Sequence, residues 1–412
     1  MIDTKSIAFH TFGCKVNQYE TEMLRGPLSL GGFQIVPMEQ RADVYVINSC
    51  SVTADADSSC RQLVRKILRE RPEARVLVTG CYAERDPDEL RAVSPRVEVF
   101  GNREKPFIAM SLGVPTACVE AAADSGVAAL AERHRVYIKV QDGCDAKCTY
   151  CIIPSVRPDL VCRNPESILK EARQLIDKGF KEIVLTGVRL GRYEWQEGWT
   201  LSRLARALAD VPGDFRIRLS SIEVTEITDE LITLIRNHPK LCPHFHIPLQ
   251  SGDDTILKRM GRWYTSADYR AVVRRIKDQI PDVALTADVI VGFPGEDEPH
   301  FQNSVSLLED EGFSRLHVFR YSVRPGTPAE RLKGHVDPRI KSARTRAMVQ
   351  VDQKLRARYA ERFLHQPLKV LMECDGGYTE RYVRVRTSTP LAEGTFQIVS
   401  PTQMTPQGEL IA

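Results

Sequence analysis

A chain of 412 residues, 42% of them apolar, is long enough for two or three domains with a sizeable core. Its 57 basic and 54 acidic side chains leave a net charge of +3, which excludes a polybasic tail and confines any basic surface to a local patch. No run approaches the ~18 apolar residues that span a bilayer, and the opening MIDTKSIAFHTFGC lacks a basic segment followed by an apolar one, so a cytoplasmic location is expected.

The first region, 4–101, alternates short apolar runs with amphipathic stretches such as CRQLVRKILRER. That is the pattern of a parallel sheet with right-handed crossovers. IAFHTF leads to Gly13 and Cys14, VYVIN to Ser49 and Cys50, and VLVT to Gly80 and Cys81. Each cysteine falls just past the carboxyl end of a strand, the edge where open α/β sheets bind ligands. Residues 36 and 31 apart are thus expected to converge, against the alternative of three unrelated loop thiols. Residues 102–134 are Ala-rich and read as a connector. Over 135–336, six strands (VYIKV, EIVLTG, RIRLSS, HFHIPL, ALTADVIVGF and RLHVFRYS) alternate with helical patterns such as ESILKEARQLIDKGF. Six units fall two short of a closed eightfold barrel, so an open, partial (β/α)6 barrel is expected. Residues 337–362 read as a basic helix with eight Lys or Arg against three acids. Residues 363–412 carry period-two segments (LKVLMEC, YVRVRT, TFQIVS) of a small all-β module. The predicted class is α/β, with an all-β module at the C-terminus.

Eleven cysteines need a reason other than disulfides, which are rare in a reducing compartment. Cys60, Cys118, Cys242 and Cys374 have no partners at ligand spacing and read as packing or surface residues. The strongest pattern is GCDAKCTYC, which puts Cys144, Cys148 and Cys151 on one loop after the first barrel strand. An electron-transfer 4Fe–4S centre takes four cysteines, and a structural zinc takes four closed ligands. Three leave one iron free for a substrate or cofactor. Cys162 could be a fourth ligand and keeps the zinc reading open.

A Cys-x3-Cys-x2-Cys loop at this place in a partial barrel resembles the radical S-adenosylmethionine (SAM) superfamily. The resemblance implies that the open iron chelates the amino and carboxylate groups of SAM. One electron then cleaves SAM to a 5′-deoxyadenosyl radical, which takes hydrogens that no general base removes. It also implies that Tyr150, otherwise an ordinary aromatic plug, packs on the adenine. Groups suited to hold SAM lie at the other strand ends: Thr186 and Gly187; Ser220, Ser221 and Glu223; Gln250 and Ser251; Gly292, Phe293 and Pro294. Gly and Ser also end strands simply as turn residues.

Further segments narrow the likeness: FHTFGCKVNQYE, CTYCIIP, HIPLQSGDDTILKRMGRWYT, DVIVGFPGE, FRYSVRPGTPA and GYTERYVRV. From about Ile7 onward the chain resembles the methylthiotransferases of that superfamily. KVNQYE points to the MtaB-type branch, which acts on threonylcarbamoyladenosine beside the tRNA anticodon (position 37). The isopentenyladenosine and ribosomal-protein branches are the enzymatic alternatives, and a non-catalytic iron–sulfur RNA-binding sensor is the other. The resemblance implies two 4Fe–4S clusters, the second held by Cys14, Cys50 and Cys81 as the sulfur-transfer centre. One SAM would methylate sulfur and another would supply the radical that attacks the adenine C2–H. A flavodoxin or ferredoxin would supply electrons, and the last module would be a TRAM-like RNA-binding barrel; no sequence feature names the donor or the oligomeric state.

The chain departs from the family wording at Ser155, Val156, Pro158, Val161 and Cys162, at Arg189 in place of Asn, and at Val224 in place of Pro. Arg157 and Arg163 stay in register and are expected to face the RNA. Period two would put Tyr382, Arg384 and Arg386 on one face, mixing stacking with phosphate-binding groups, against the alternative of a plain edge-strand face. The basic helix adds phosphate-binding candidates.

Overall fold

The computed structural model describes residues 5–125 and 134–412. Strands β1 (Ser6–Thr11), β2 (Gln34–Val36), β3 (Val44–Ser49), β4 (Arg75–Gly80) and β5 (Val97–Val99) form a wholly parallel sheet in the order β2-β1-β3-β4-β5. Helix α1 (Lys15–Leu30) packs on the face carrying Ile7, Val44 and Val46, and α2 (Ala54–Glu70) on the face carrying Ala8, Tyr45 and Ile47. Cover on both faces is why β3 and β4 read as unbroken apolar runs. The strand order reverses between β1 and β3, which opens a crevice at their carboxyl ends. Part of the expected connector is helical, and Ile108, Leu112 and Val114 join the core beneath α1. Residues 126–133 of that stretch lie outside the described residues.

Six further strands follow in spatial as well as chain order: β6 (Arg135–Asp142), β7 (Glu182–Gly187), β8 (Arg216–Leu219), β9 (His244–His246), β10 (Ala284–Val291) and β11 (Arg315–Arg320). All pair in parallel, with β8 and β9 joined through single bridges at Ile217–Leu241 and Ser221–His246. Alternate residues (Ile138, Ile183, Ile217, Phe245, Leu285, Leu316) pack outward in one core against the surrounding helices, among them α4 (Pro165–Asp177) and α5 (Leu201–Ala209). Period two then turns Arg135, Glu182, Arg218, His246, Asp288 and His317 inward. A closed barrel fills that space with apolar layers; here it is a polar lumen.

The foot of the lumen is closed from below. Glu182, fully buried, pairs with Arg135 (2.7 Å), Arg216 (2.5 Å) and Arg218 (3.0 Å). Arg216 and Arg218 also donate to the carbonyls of Tyr378 and Glu380, each at 2.9 Å, in a hairpin of the C-terminal module. That module orders its strands β15-β12-β13-β14-β17-β16, from β12 (Leu368–Glu373), β13 (Gly376–Thr379), β14 (Arg384–Arg386), β15 (Phe396–Val399), β16 (Gln403–Met404) and β17 (Leu410–Ile411). The basic helix, α6 (Pro338–Glu361), is capped by Asp337 and sends Met348, Val351 and Leu355 into the barrel core.

Candidate active site

Cys14 is the N-cap of α1, Cys50 directly follows β3, and Cys81 opens the short helix α3 (Cys81–Arg85) after β4. The turns are made by glycines with left-handed backbone, Gly13 (φ +91°) and Gly80 (φ +97°). A Cβ on Gly13 would lie 2.6 Å from Cys50 Sγ, so only glycine lets the first two loops touch. The three thiols are electrostatic neighbours of one another. Burial pushes Cys50 up to about 12 and raises Cys14. Arg157 Nε donates to Cys81 Sγ at 3.5 Å.

The second trio sits on the loop after β6. Gly143 (φ +76°) starts it, and a Cβ there would collide with the Asp159 carbonyl. Thr149 pins the loop: its N–H donates to the Met260 carbonyl (2.9 Å), its hydroxyl to that of Arg259 (2.8 Å), and its own carbonyl accepts from Ala329 (2.8 Å). Burial pushes Cys151 up to about 12 and raises Cys144. Arg262, itself buried, donates from Nη1 to Cys148 Sγ at 3.1 Å and pairs through Nη2 with Glu223. Each trio thus has one buried arginine on one sulfur, a contact of the kind that tunes an iron–sulfur centre. Cys162 is otherwise engaged, accepting from the Glu194 N–H at 3.4 Å. Among the described residues no three His, Cys, Asp or Glu are arranged to hold a single metal ion. Each trio presents three cysteines and, among the described residues, no fourth, a donor set that would suit a multi-iron cluster.

A cavity of about 170 Å³ lies where the loop after Cys50 faces the second cysteine loop. Val52 and Thr53 line it from the Cys50 loop, Tyr150 and Cys151 from the second loop, and Gln250, Asp288, Ile290 and Tyr321 from the barrel. The two units are latched beside it: Arg324 donates to Ser51 Oγ (3.0 Å) and pairs with Asp57, which also pairs with Arg85 (3.1 Å).

The rim residues divide into two sets. Gln250 (φ +65°) lines the cavity, Thr186 and Ser220 face the lumen, and the buried Ser220 hydroxyl has no hydrogen-bond partner among the described residues. Ser221 bridges to β9, and Glu223 is held by Arg262. Gly187 backs onto the Gln141 side chain. Ser251 instead turns toward Ser304 (Oγ to Oγ 3.4 Å). Gly292 donates its N–H to Glu296 (2.8 Å), and the Pro294 carbonyl accepts from Arg259 (2.9 Å), so both shape the turn. Phe293 stands edge-on to Tyr150, with ring centroids 6.3 Å apart.

The residues expected on RNA are placed otherwise. Arg157 is 6% exposed and tied to Glu20 (2.8 Å) and Asp142 (2.8 Å), so burial removes it from any RNA face. Arg163 donates to the Tyr19 hydroxyl (2.8 Å) and pairs with Glu171 (2.8 Å). Tyr382 lies outside β14 with φ +64°, which breaks the period-two face, and its ring stacks on Tyr378 5.0 Å away. Arg384 pairs with Asp375 and Glu373, and the more exposed Arg386 with Glu409 (2.6 Å). Exposed cations gather instead on α6, at Arg339, Arg346, Lys354 and Arg358. Two departures prove structural: Arg189 ties Glu226 (2.6 Å) to Asp145 (2.7 Å) of the cysteine loop, and Val224 is buried in the barrel core. Arg262 was missed in the sequence reading, because an arginine in KRMGRWYT has no spacing that marks it.

The N-terminal unit matches the model of the Uncharacterized protein family UPF0004 over residues 6–101, and the barrel that of the Radical SAM superfamily over 138–308. Two curated relatives, from Thermotoga maritima and Bacillus subtilis, are each 40% identical over 395 and 408 residues. The matches cover 92% of this chain and 91% and 90% of theirs, and both are named threonylcarbamoyladenosine tRNA methylthiotransferase MtaB. The chain belongs to this methylthiotransferase family. Among solved structures, the radical SAM methyltransferase TsrM from Kitasatospora setae, with cobalamin and a [4Fe-4S] cluster bound, aligns at a TM-score of 0.57. It is 14% identical, over 79% of this chain and 77% of its own. The cobalamin-dependent radical enzyme OxsB aligns at 0.52 and 11% identity, over 85% and 56%. At such identities the likeness is one of fold. Among the described residues of this methylthiotransferase, no helix is long and apolar enough to cross a membrane.

Proposed function

We propose that this chain converts N6-threonylcarbamoyladenosine in tRNA to its 2-methylthio derivative. The observation that carries the reading is one cavity lined by Cys151 of the second trio and by Val52 and Thr53 of the loop that follows Cys50. Cys144, Cys148 and Cys151 would hold one 4Fe–4S cluster and present it to SAM, and Cys14, Cys50 and Cys81 would hold the second. When bound, these groups supply a 5′-deoxyadenosyl radical, a methyl group and the sulfur. The adenine C2–H is not acidic, which is why a radical rather than a base is required.

The chain's own residues position these parts. Arg262 and Arg157 donate to one sulfur of each trio and fix the loops against the cavity. Tyr150, braced by Phe293, offers a ring face in the cavity wall, and the Ser220 hydroxyl is free to meet a polar group of SAM. The Arg324–Asp57 latch keeps the N-terminal crevice over the barrel mouth. The exposed cations of α6 meet the tRNA backbone. The electron comes from a partner such as a flavodoxin or ferredoxin, and a tRNA substrate favours the cytoplasm.

The test is anaerobic reconstitution with iron and sulfide, followed by SAM, dithionite and tRNA carrying threonylcarbamoyladenosine. Nucleoside mass spectrometry is expected to find the 2-methylthio product alongside 5′-deoxyadenosine. 5′-Deoxyadenosine with unaltered tRNA would refute the reading, as would methylthiolation confined to isopentenyladenosine or to a ribosomal protein.

A further inference from the structure

Lys15 follows Cys14 directly and begins α1, yet its ammonium does not face solvent alone. Its electrostatic neighbours are Tyr382, Asp288, Arg135 and Arg218, and it is in turn a neighbour of His244 and His317. All of these belong to the barrel lumen or the hairpin that closes it. A side chain of the N-terminal unit therefore enters the lumen beside the first cysteine trio. Among the described residues its ammonium has no ion-pair or hydrogen-bond acceptor.

The surrounding charges make that isolation meaningful. Lys15, Arg135, Arg216 and Arg218 are four cations, faced by three carboxylates, Glu182, Asp288 and Glu373, the last already paired with Arg384. Glu182 is wholly engaged by the three arginines. Asp288 is held by His246 Nε2 at 3.1 Å, while His246 Nδ1 meets Thr286 Oγ1 at 2.8 Å. A low-dielectric space with surplus positive charge favours an anion from outside. Asp288 also lines the cavity beside Cys151, so one carboxylate neighbours both Lys15 and that cavity.

We propose that Lys15 anchors the carboxylate of the substrate's threonyl group and so selects adenines that carry it. This rests on the reading of threonylcarbamoyladenosine as substrate. Threonine joined through its nitrogen to a carbamoyl group keeps its carboxylate free. Neither unmodified adenosine nor an alkyl-substituted adenine carries such an anion. The tail leaves the same six-membered ring that bears C2, so a fixed carboxylate beside Cys14 also fixes the reacting carbon relative to both trios.

The experiment compares reconstituted wild type with Lys15→Met and Lys15→Arg. The substrates are an anticodon stem-loop carrying threonylcarbamoyladenosine and the same RNA with the threonyl carboxylate as its methyl ester. A charge-assisted hydrogen bond predicts that wild type prefers the acid by roughly 10- to 100-fold in kcat/KM. Lys15→Met is expected to erase the preference by raising KM for the acid, and Lys15→Arg to restore part of it, with iron content equal in all three. The ratio of two substrates on one protein is insensitive to a partly folded fraction. A wild-type acid-to-ester ratio in Lys15→Met would overturn the proposal, as would a raised KM for SAM with that ratio intact. If wild type itself fails to methylthiolate the acid RNA, the substrate reading fails, whatever the variants do.

Discussion

Replacing Glu182 with Gln removes the one anion shared by the buried Arg216 and Arg218 and the partly buried Arg135. Burial pushes this carboxyl upward, but Arg218, Arg216 and Arg135 outweigh it and hold it well below the usual range. Breaking a buried ion pair by deleting one partner costs about 3–5 kcal/mol, because the orphaned charge stays desolvated. Here three charges are orphaned, and two of them also hold the C-terminal hairpin through the Tyr378 and Glu380 carbonyls. For a domain of this size the loss corresponds to a fall in Tm of about 6–20 °C. Thermal unfolding at pH 7 with limited proteolysis is the assay, and the C-terminal module is expected to be cleaved off first. The pH dependence has a definite sign. A carboxyl depressed by folding stabilises the protein above its unfolded value and loses that contribution as pH falls through the folded one. The gap between wild type and Glu182→Gln should therefore be constant from pH 7 to about 5 and close only in stronger acid. A gap below about 0.5 kcal/mol, or one that widens on acidification, would refute the reasoning.

Gly143→Ala strains a left-handed position and meets the Asp159 carbonyl, so it should cost the protein about half its iron by disabling the loop of Cys144; iron analysis checks this. Arg157→Met removes the N–H donor at Cys81 and should lower the reduction potential of one cluster while leaving the other in place, read by EPR-monitored titration. Replacing Arg346, Lys354 and Arg358 together with Gln should weaken tRNA binding and flatten its dependence on log salt by about two to three, whereas a change at Arg157 should leave that slope unaltered.

The three central strands of the first region and the six of the barrel were legible because their residues alternate or run apolar without break, whereas the three-residue edge strands β2 and β5 were too short to register. The junctions of strand, Gly or Ser, and Cys carried the first trio with them. The polarity of the barrel interior was present in the same strings, in RIRL and HFH, but its meaning depends on which neighbours converge. Arg157 shows why the rest was hidden. Its salt-bridge partner Glu20 is 137 residues away, so no local pattern distinguishes it from a surface arginine. Tyr382 misled through periodicity, since a left-handed residue at the hairpin breaks the alternation that YVRVR suggests. β13 was missed because GGYT has little strand propensity of its own and pairs through the tertiary context of β12 and β14.

The most direct measurement is the nucleoside profile of tRNA from cells lacking this gene, complemented with wild type or with alanine variants of either cysteine trio. The proposal that both trios serve one reaction predicts that the 2-methylthio derivative disappears on deletion, returns with wild type, and returns with neither set of variants. Its persistence without the gene, or its return with Cys14, Cys50 and Cys81 all replaced, would contradict the account.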